Sequence, residues 1–496
     1  MKKQFGKSFK LREGNFEVLV IGLFAFSLIV NFFVIQIHPF LHDWDERFHA
    51  LVAKNLTEDF LLPLLYNGSP IPVCDTGWVC NTVWLHKQPL FLWQIALSIK
   101  LFGATELSVR LPSAIMLSLT IFPIYKIGTI VFDKKAGLIA ALLTVSNWFI
   151  LEHINGYIGM DHNDVAFMFY VTLSIWALVE YINSPKLKYV VLMGLFAGAA
   201  MLCKWLVGTL VFEGFLVYLL LNFKTLKQAQ IAHFILAIFI AIIVFLPWQV
   251  YTFYKFPNLA LHEWQFNQKH FWEVVENHWQ PCFFYFSEIK NQFSYLWILI
   301  PVGLIFSFFN KTKLLFILPF LVMISSVFLF FTIAATKISS YTMVVMPMLF
   351  LFIANSIVGI VNLFKQREKG YCIASLVLIS FALFVNLNIS KQNDDYNLNR
   401  DFWINKLNNA KFLNTQNYKK IKSLNLPLKT AIIGFDNFSE IEGMFYTGHL
   451  CYGYYISIEL INELKCKGYQ IAVFRNRIPE TVQSDSSLVI FAMDYN

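Results

Sequence analysis

The chain has 496 residues, of which 57% are hydrophobic, 17% aromatic and only 14% charged, with a mean hydropathy of +0.56. This composition excludes a string of soluble domains and describes a polytopic membrane protein. The formal net charge of +8 does not imply nucleic-acid binding, because the cations are spread over short segments between apolar runs and form no basic stripe.

The segment from Met1 to Gly14 carries five Lys or Arg against one Glu. The apolar run from Phe16 to Ile37 is longer than a secretory h-region and lacks a small-residue cleavage site, so it reads as a retained signal-anchor helix. Further helices near the bilayer length are expected at 111–132, 137–158, 165–183, 188–204, 206–222, 230–250, 292–309, 314–334, 342–363 and 371–389. Basic residues recur at Lys126, Lys134 and Lys135, Lys186 and Lys188, Lys224 and Lys227, Lys311 and Lys313, and Lys365, Arg367 and Lys369. By the positive-inside rule these turns and the N-terminus are cytoplasmic. Eleven spans, with twelve or thirteen as the alternative, then place the stretches 38–110, 159–164, 251–291 and 335–341 and the tail on the outer face.

Immediately after the first span comes His38-Pro-Phe-Leu-His-Asp-Trp-Asp-Glu-Arg-Phe-His49, a cluster of carboxylates and histidines directly at the membrane surface. Within the same outer loop, Pro89 to Gly103 reads as an amphipathic helix lying on the interface with tryptophan at the headgroup level; its insertion as another span would disturb the charge pattern. Beyond residue 389 the composition shifts to Asn, Lys and Asp, with apolar runs at Ala431–Phe435 and Ile471–Phe474 that resemble strands. A small α/β domain over 390–496 is expected, without a nucleotide fingerprint, since no glycine-rich turn follows Gly434.

Five segments in order carry a resemblance: Asp45-Glu46, His86-Lys87-Gln88-Pro89-Leu90, Glu106 to Ser113 with Arg110, Gly198 to Lys204, and Lys337-Ile-Ser-Ser-Tyr341 with Pro347. Together they resemble the ArnT-like and protein O-mannosyltransferase superfamily over about residues 15 to 350. The resemblance implies an all-α polytopic fold of the GT-C type, a transmembrane domain over 1–389 and an extracytoplasmic α/β domain over 390–496. It also implies an inverting glycosyltransferase in the bacterial inner membrane that moves a sugar from a polyprenyl phosphate donor to a lipid, glycan or protein acceptor on the outer face.

Such chemistry needs a base for the acceptor hydroxyl and cations for the leaving phosphate. Asp45 matches the family's catalytic Asp; its ordinary alternative is to cap the helix that begins near Glu46. Glu46 is placed beside it as an orienting carboxylate, and Asp43 is a weaker candidate base. Lys87, Arg110, Lys204 and Lys337 are candidate phosphate ligands, with Tyr341 one turn from Lys337. The ordinary reading of these cations is snorkelling to headgroups, and Arg110 could instead anchor to Glu106. The family places a supporting acid in the loop holding Asp161 and Asp164, where a helix cap is the plainer role. His86 and His278 are tentative ligands for a divalent metal such as zinc, with His262 and His270 in reserve.

Departures from the family pattern, Gln88-Pro89 for Pro-Pro and Phe48-His49 for Arg-Tyr, leave the donor sugar open. Cys74 and Cys80 flank a loop in which an oxidising compartment would allow a disulfide, and Cys451 with Cys466 is a second candidate pair. Trp78, inside that first loop, could stack on a sugar or anchor the interface. A lipid-linked sugar flippase or a non-catalytic membrane scaffold is the alternative function.

Overall fold

A computed structural model describes residues 13–71, 77–156, 162–309, 313–364, 368–387, 395–483 and 487–496. Cys74, Asp161, Lys311, Lys365 and Arg367 lie outside the described residues. Eight of the described helices are long and apolar enough to cross a membrane, and Lys134–Val145 with Trp148–Asn155, bent by 45°, would make a ninth. The expected eleven is therefore not reached on length and apolarity. Ile373–Leu387, where the last span was placed, is a shorter apolar helix.

Two expected spans fall within one apolar run, Leu187–Leu221. The chain nevertheless folds back inside it. Helix Leu187–Lys204 ends where Trp205 adopts φ 54°, and a 3-10 turn Trp205–Thr209 leads into Leu210–Leu221. A Cβ on Gly208 would lie 2.6 Å from the amide nitrogen of Met201, an approach only a hairpin allows. At the far end of the second arm, Tyr218 lies edge-on 6.2 Å from Tyr181, which precedes the first arm.

With apolar residues facing lipid and core alike, close packing rather than hydrophobic partition joins such helices. Gly194 and Gly198 show this: a Cβ on either would come within 2.6 Å of Ala237 or Val244 on helix Gln228–Lys255. Helix Pro89–Phe102 buries Phe91, Leu92, Ile95 and Ile99 and leaves Leu97, Leu101 and Phe102 exposed, the two-faced pattern expected of an interfacial helix.

The tail forms a four-stranded parallel sheet of order β2-β1-β3-β4, with β1 Thr430–Phe435, β2 Leu450–Gly453, β3 Gln470–Phe474 and β4 Val489–Phe491. Both expected strands are present, as β1 and β3. Helix Glu440–Thr447 joins β1 to β2 and packs against helix Asp45–Leu56 of the loop after the first span. There Lys54 donates to the carbonyls of Met444 at 3.0 Å and Phe445 at 2.7 Å, a cation on the negative end of a helix. Phe435, Met444, Phe445 and Tyr446 share one continuous core with Phe48 and Leu51, so the sheet is seated on the loop that carries Asp45.

A buried ion pair fixes this seat. Arg47 donates to Glu442 at 3.2 Å and lies 3.5 Å from Asp43, which also binds Lys411 at 2.6 Å. Burial pushes the Glu442 carboxyl up to about 7, against the opposing pull of Arg47. A carboxyl raised in the folded state contributes stability that is complete below its unfolded pKa of about 4.3 and is lost as pH rises through about 7. Glu442→Gln should therefore flatten the fall in thermal stability between about pH 5 and pH 8, read by melting the purified variant across that range.

Cys80 is disulfide-bonded, while its expected partner, Cys74, lies outside the described residues. The second expected bridge does not form: Cys451 is buried in β2 and Cys466 is exposed at the end of helix Ile458–Cys466, both as free thiols.

Candidate active site

The helix that carries the acidic pair begins at Asp45 itself. Its preceding residue, Trp44, sits at φ 61° and ψ −124°, and no side chain caps the helix N-terminus. Asp45 therefore does not act as the cap, and its carboxylate turns to Lys87, with Oδ1 3.2 Å from Nζ. Both line a cavity of about 1300 Å³.

The same cavity gathers Asp164, Lys204, Lys337 and Tyr341. Lys204, at the end of its helix, forms an ion pair with Asp164 and lies 4.9 Å over the Tyr341 ring. Lys337 is buried and donates to the Ala334 carbonyl at 2.6 Å; among the described residues no carboxylate stands within ion-pair distance of it. Phe330 and Phe331 of helix Leu314–Ile333 and Leu206 of the hairpin turn line the cavity as well. A pocket that sets lysines beside aromatic side chains can hold an anion joined to an apolar chain.

Two expected site residues stand elsewhere. Glu46 is fully buried, and among its partners are Arg110 Nε at 2.6 Å and Nη2 at 3.0 Å, His162 at 3.1 Å and the His42 amide at 2.7 Å. Burial alone would raise its pKa; the Arg110 charge, with the hydrogen bond and charge of His162, outweighs it and holds the carboxyl well below the usual range. Glu46 does not line the cavity and so is not itself a catalytic group; it holds a cation, Arg110, and the local backbone at His42, the orienting role expected of it. Arg110 is likewise fully buried and also donates to the carbonyls of Ile35, His38 and Phe40 at 2.6–3.0 Å. Its donors are committed to protein, so the expected phosphate contact is corrected to a structural anchor. That anchor is Glu46 and not Glu106, which binds Lys419 and the Tyr446 hydroxyl.

His86, His270 and His278 line the cavity, and His262 does not. His86 stacks on Trp78 with centroids 4.5 Å apart and meets Glu263 at 3.3 Å. Burial, reinforced by Lys87, pushes the His86 imidazole down to about 3, and burial lifts Glu263 to about 7. Among the described residues no three His, Cys, Asp or Glu side chains are grouped to hold a metal.

Trp44, Glu276 and Phe438 also line the cavity and were not foreseen. Trp44 could have been found from its place next to Asp45. Phe438 had no sequence signal, because it reaches the cavity only through the packing of the tail.

Long apolar helices around a loop-lined cavity, with a small sheet seated on that loop, make a multi-pass membrane protein whose fold is of the GT-C type. The particular relatives agree. Residues 86–251 match the family described as dolichyl-phosphate-mannose-protein mannosyltransferase. The structure superposes on ArnT from Cupriavidus metallidurans bound to undecaprenyl phosphate with a TM-score of 0.60 and 14% identity, covering 92% of this chain and 88% of that one. The Archaeoglobus fulgidus oligosaccharyltransferase matches with a TM-score of 0.58 and 12% identity over 90% of this chain and 65% of its own. An uncharacterized protein of Aquifex aeolicus is 26% identical over 310 residues, 61% of this chain. The chain spans 57% of that relative's length. The resemblance read from the motifs is thus matched by family and by fold.

Proposed function

We propose that the chain is an inverting glycosyltransferase that uses a polyprenyl phosphate sugar, with its transmembrane part over 1–389 and a domain over 390–496 on the outer face of a bacterial inner membrane. The observation that carries this reading is the meeting of Asp45 with Lys87, Lys204 and Lys337 in one cavity that aromatic side chains also line. Asp45 takes the proton from an acceptor hydroxyl as the oxygen bonds to the anomeric carbon. The bond from that carbon to the phosphate oxygen breaks, and its electron pair leaves with the polyprenyl phosphate. Lys204 and Lys337, beside the aromatic membrane helices, hold the growing phosphate charge, while Lys87 steadies Asp45 and is released to phosphate as Asp45 is protonated. The binding of undecaprenyl phosphate by the ArnT relative supports this donor class. Asp164 orients Lys204.

The test is transfer of radiolabelled sugar from purified undecaprenyl phosphate sugars to envelope acceptors by the detergent-purified protein; no transfer from any donor would sink the reading. Lys204→Ala and Lys337→Ala should each raise the donor KM by roughly tenfold or more, the effect of losing one charge-assisted contact. Unchanged KM in both would leave these lysines structural, holding Asp164 and the Ala334 carbonyl. Orientation is tested by impermeant thiol labelling in a background lacking the exposed native Cys282 and Cys466. An introduced cysteine at the exposed Tyr455 should label from outside, and one at Lys224 should be protected.

A further inference from the structure

Five of the eight described non-glycine residues with left-handed φ line this one cavity: Trp44 at 61°, Trp205 at 54°, Glu276 at 54°, Asn277 at 61° and Phe438 at 60°. Such backbone is uncommon outside glycine and gathers where a side chain must be held in one place. Four of the five meet at a single corner. Phe438 packs on Trp44 with centroids 5.9 Å apart, Trp44 on Trp78 at 6.4 Å, and the Trp78 indole donates to Glu276 at 2.7 Å. Asn437, at φ 51°, makes the turn two residues long.

The sheet explains how Phe438 arrives. In parallel sheets ligands bind beyond the carboxyl ends of the strands, where the order reverses, here between β1 and β3. That crevice is filled by the chain itself: Tyr495 meets Ser439 at 2.5 Å and Arg477 pairs with Asp436 at 2.6 Å. What the end of β1 presents instead is the ring of Phe438, beside the residue that precedes Asp45. The aromatic contacts of this corner do not include Tyr341, whose ring rests 4.6 Å from Phe331 and under Lys204.

We propose that Trp44 and Phe438, backed by Trp78 whose own ring is stacked on His86, form an acceptor subsite that stacks on the apolar face of a saccharide ring, with Phe438 as its specificity-determining residue. This rests on the transferase reading above, since it presents a ring hydroxyl to Asp45. Aromatic faces are electron-rich and attract the weakly positive C–H face of a sugar. Glu276 and Asn277 at the edge supply hydrogen-bonding partners for its hydroxyls. An extended peptide would use the polar edge but leave the aromatic faces unmatched.

Saturation-transfer NMR on the full-length protein, with methyl glycosides of glucose, galactose and mannose and a Ser/Thr-containing peptide as probes, tests this directly. Saturation should reach the ring C–H protons of at least one glycoside, fall several-fold in Phe438→Ala and return in Phe438→Trp, with undecaprenyl phosphate affinity unchanged throughout. Saturation of the peptide and of no glycoside overturns the proposal, as does a glycoside signal equal in Phe438→Ala and the wild type. Sugar transfer measured in parallel separates the two readings. Transfer without glycoside saturation sinks the subsite alone, whereas saturation without transfer sinks the transferase reading and leaves a saccharide-binding rim.

Discussion

Asp45→Asn should lower sugar transfer by on the order of 100-fold or more, while undecaprenyl phosphate binding and the melting temperature stay near their wild-type values. The substitution keeps size and shape and removes the negative charge, and with it the ability to take a proton. Stability should hold because the carboxylate makes no capping bond; the favourable placement of a charge at a helix N-terminus contributes only about 0.3–1 kcal/mol. Lys87 loses its ion partner and becomes more available to phosphate, so donor affinity should not weaken. Asp43→Asn is the control, since Asp43 is bound to Lys411 and Arg47 and does not line the cavity. If Asp43→Asn abolishes transfer and Asp45→Asn spares it, the base is misassigned.

The parts of the site legible in sequence were those that depend on where a residue stands along a membrane helix. Asp45 follows the first span, Lys204 ends another and Lys337 precedes a third, so one bilayer surface collects them ahead of any tertiary packing. Strands β1 and β3 were legible for a similar reason: a short apolar run in a polar tail has few other uses. Partner choice was not legible. Arg110 could reach Glu106 one helical turn away, and only the buried return of the outer loop shows Glu46 to be its partner. Arg47 with Glu442 and Trp44 with Phe438 join residues nearly four hundred positions apart, and no periodicity encodes that seating. The free Cys451 and Cys466 fail as a pair because one points into the sheet and the other ends a surface helix. The break at Trp205 falls between two expected spans, whereas the span count was blurred where an apolar run is short or bent, as at Ile373–Leu387 and between Val145 and Trp148.

Arg110→Met should destabilise the fold far more than Asp45→Asn or either lysine substitution, lowering stability by about 3–5 kcal/mol, the range for leaving one partner of a buried ion pair uncompensated. Glu46 would keep its His162 and His42 contacts but lose the guanidinium that holds it ionised, and three backbone carbonyls at the end of the first span would lose their donor. Glu46→Gln should cost less, because an amide can still accept from Arg110. Joining it to Arg110→Met should recover part of the loss, as no carboxylate then remains buried without its cation. A phosphate-binding Arg110 would behave differently: Arg110→Lys would keep the melting temperature and raise only the donor KM. The fork of five donors that reaches both oxygens of Glu46 and three carbonyls cannot be copied by a single ammonium. Arg110→Lys should therefore melt early as well, and the segment from His38 to Asp45, held at one end by Arg110, should lose its order before the cavity loses its cations.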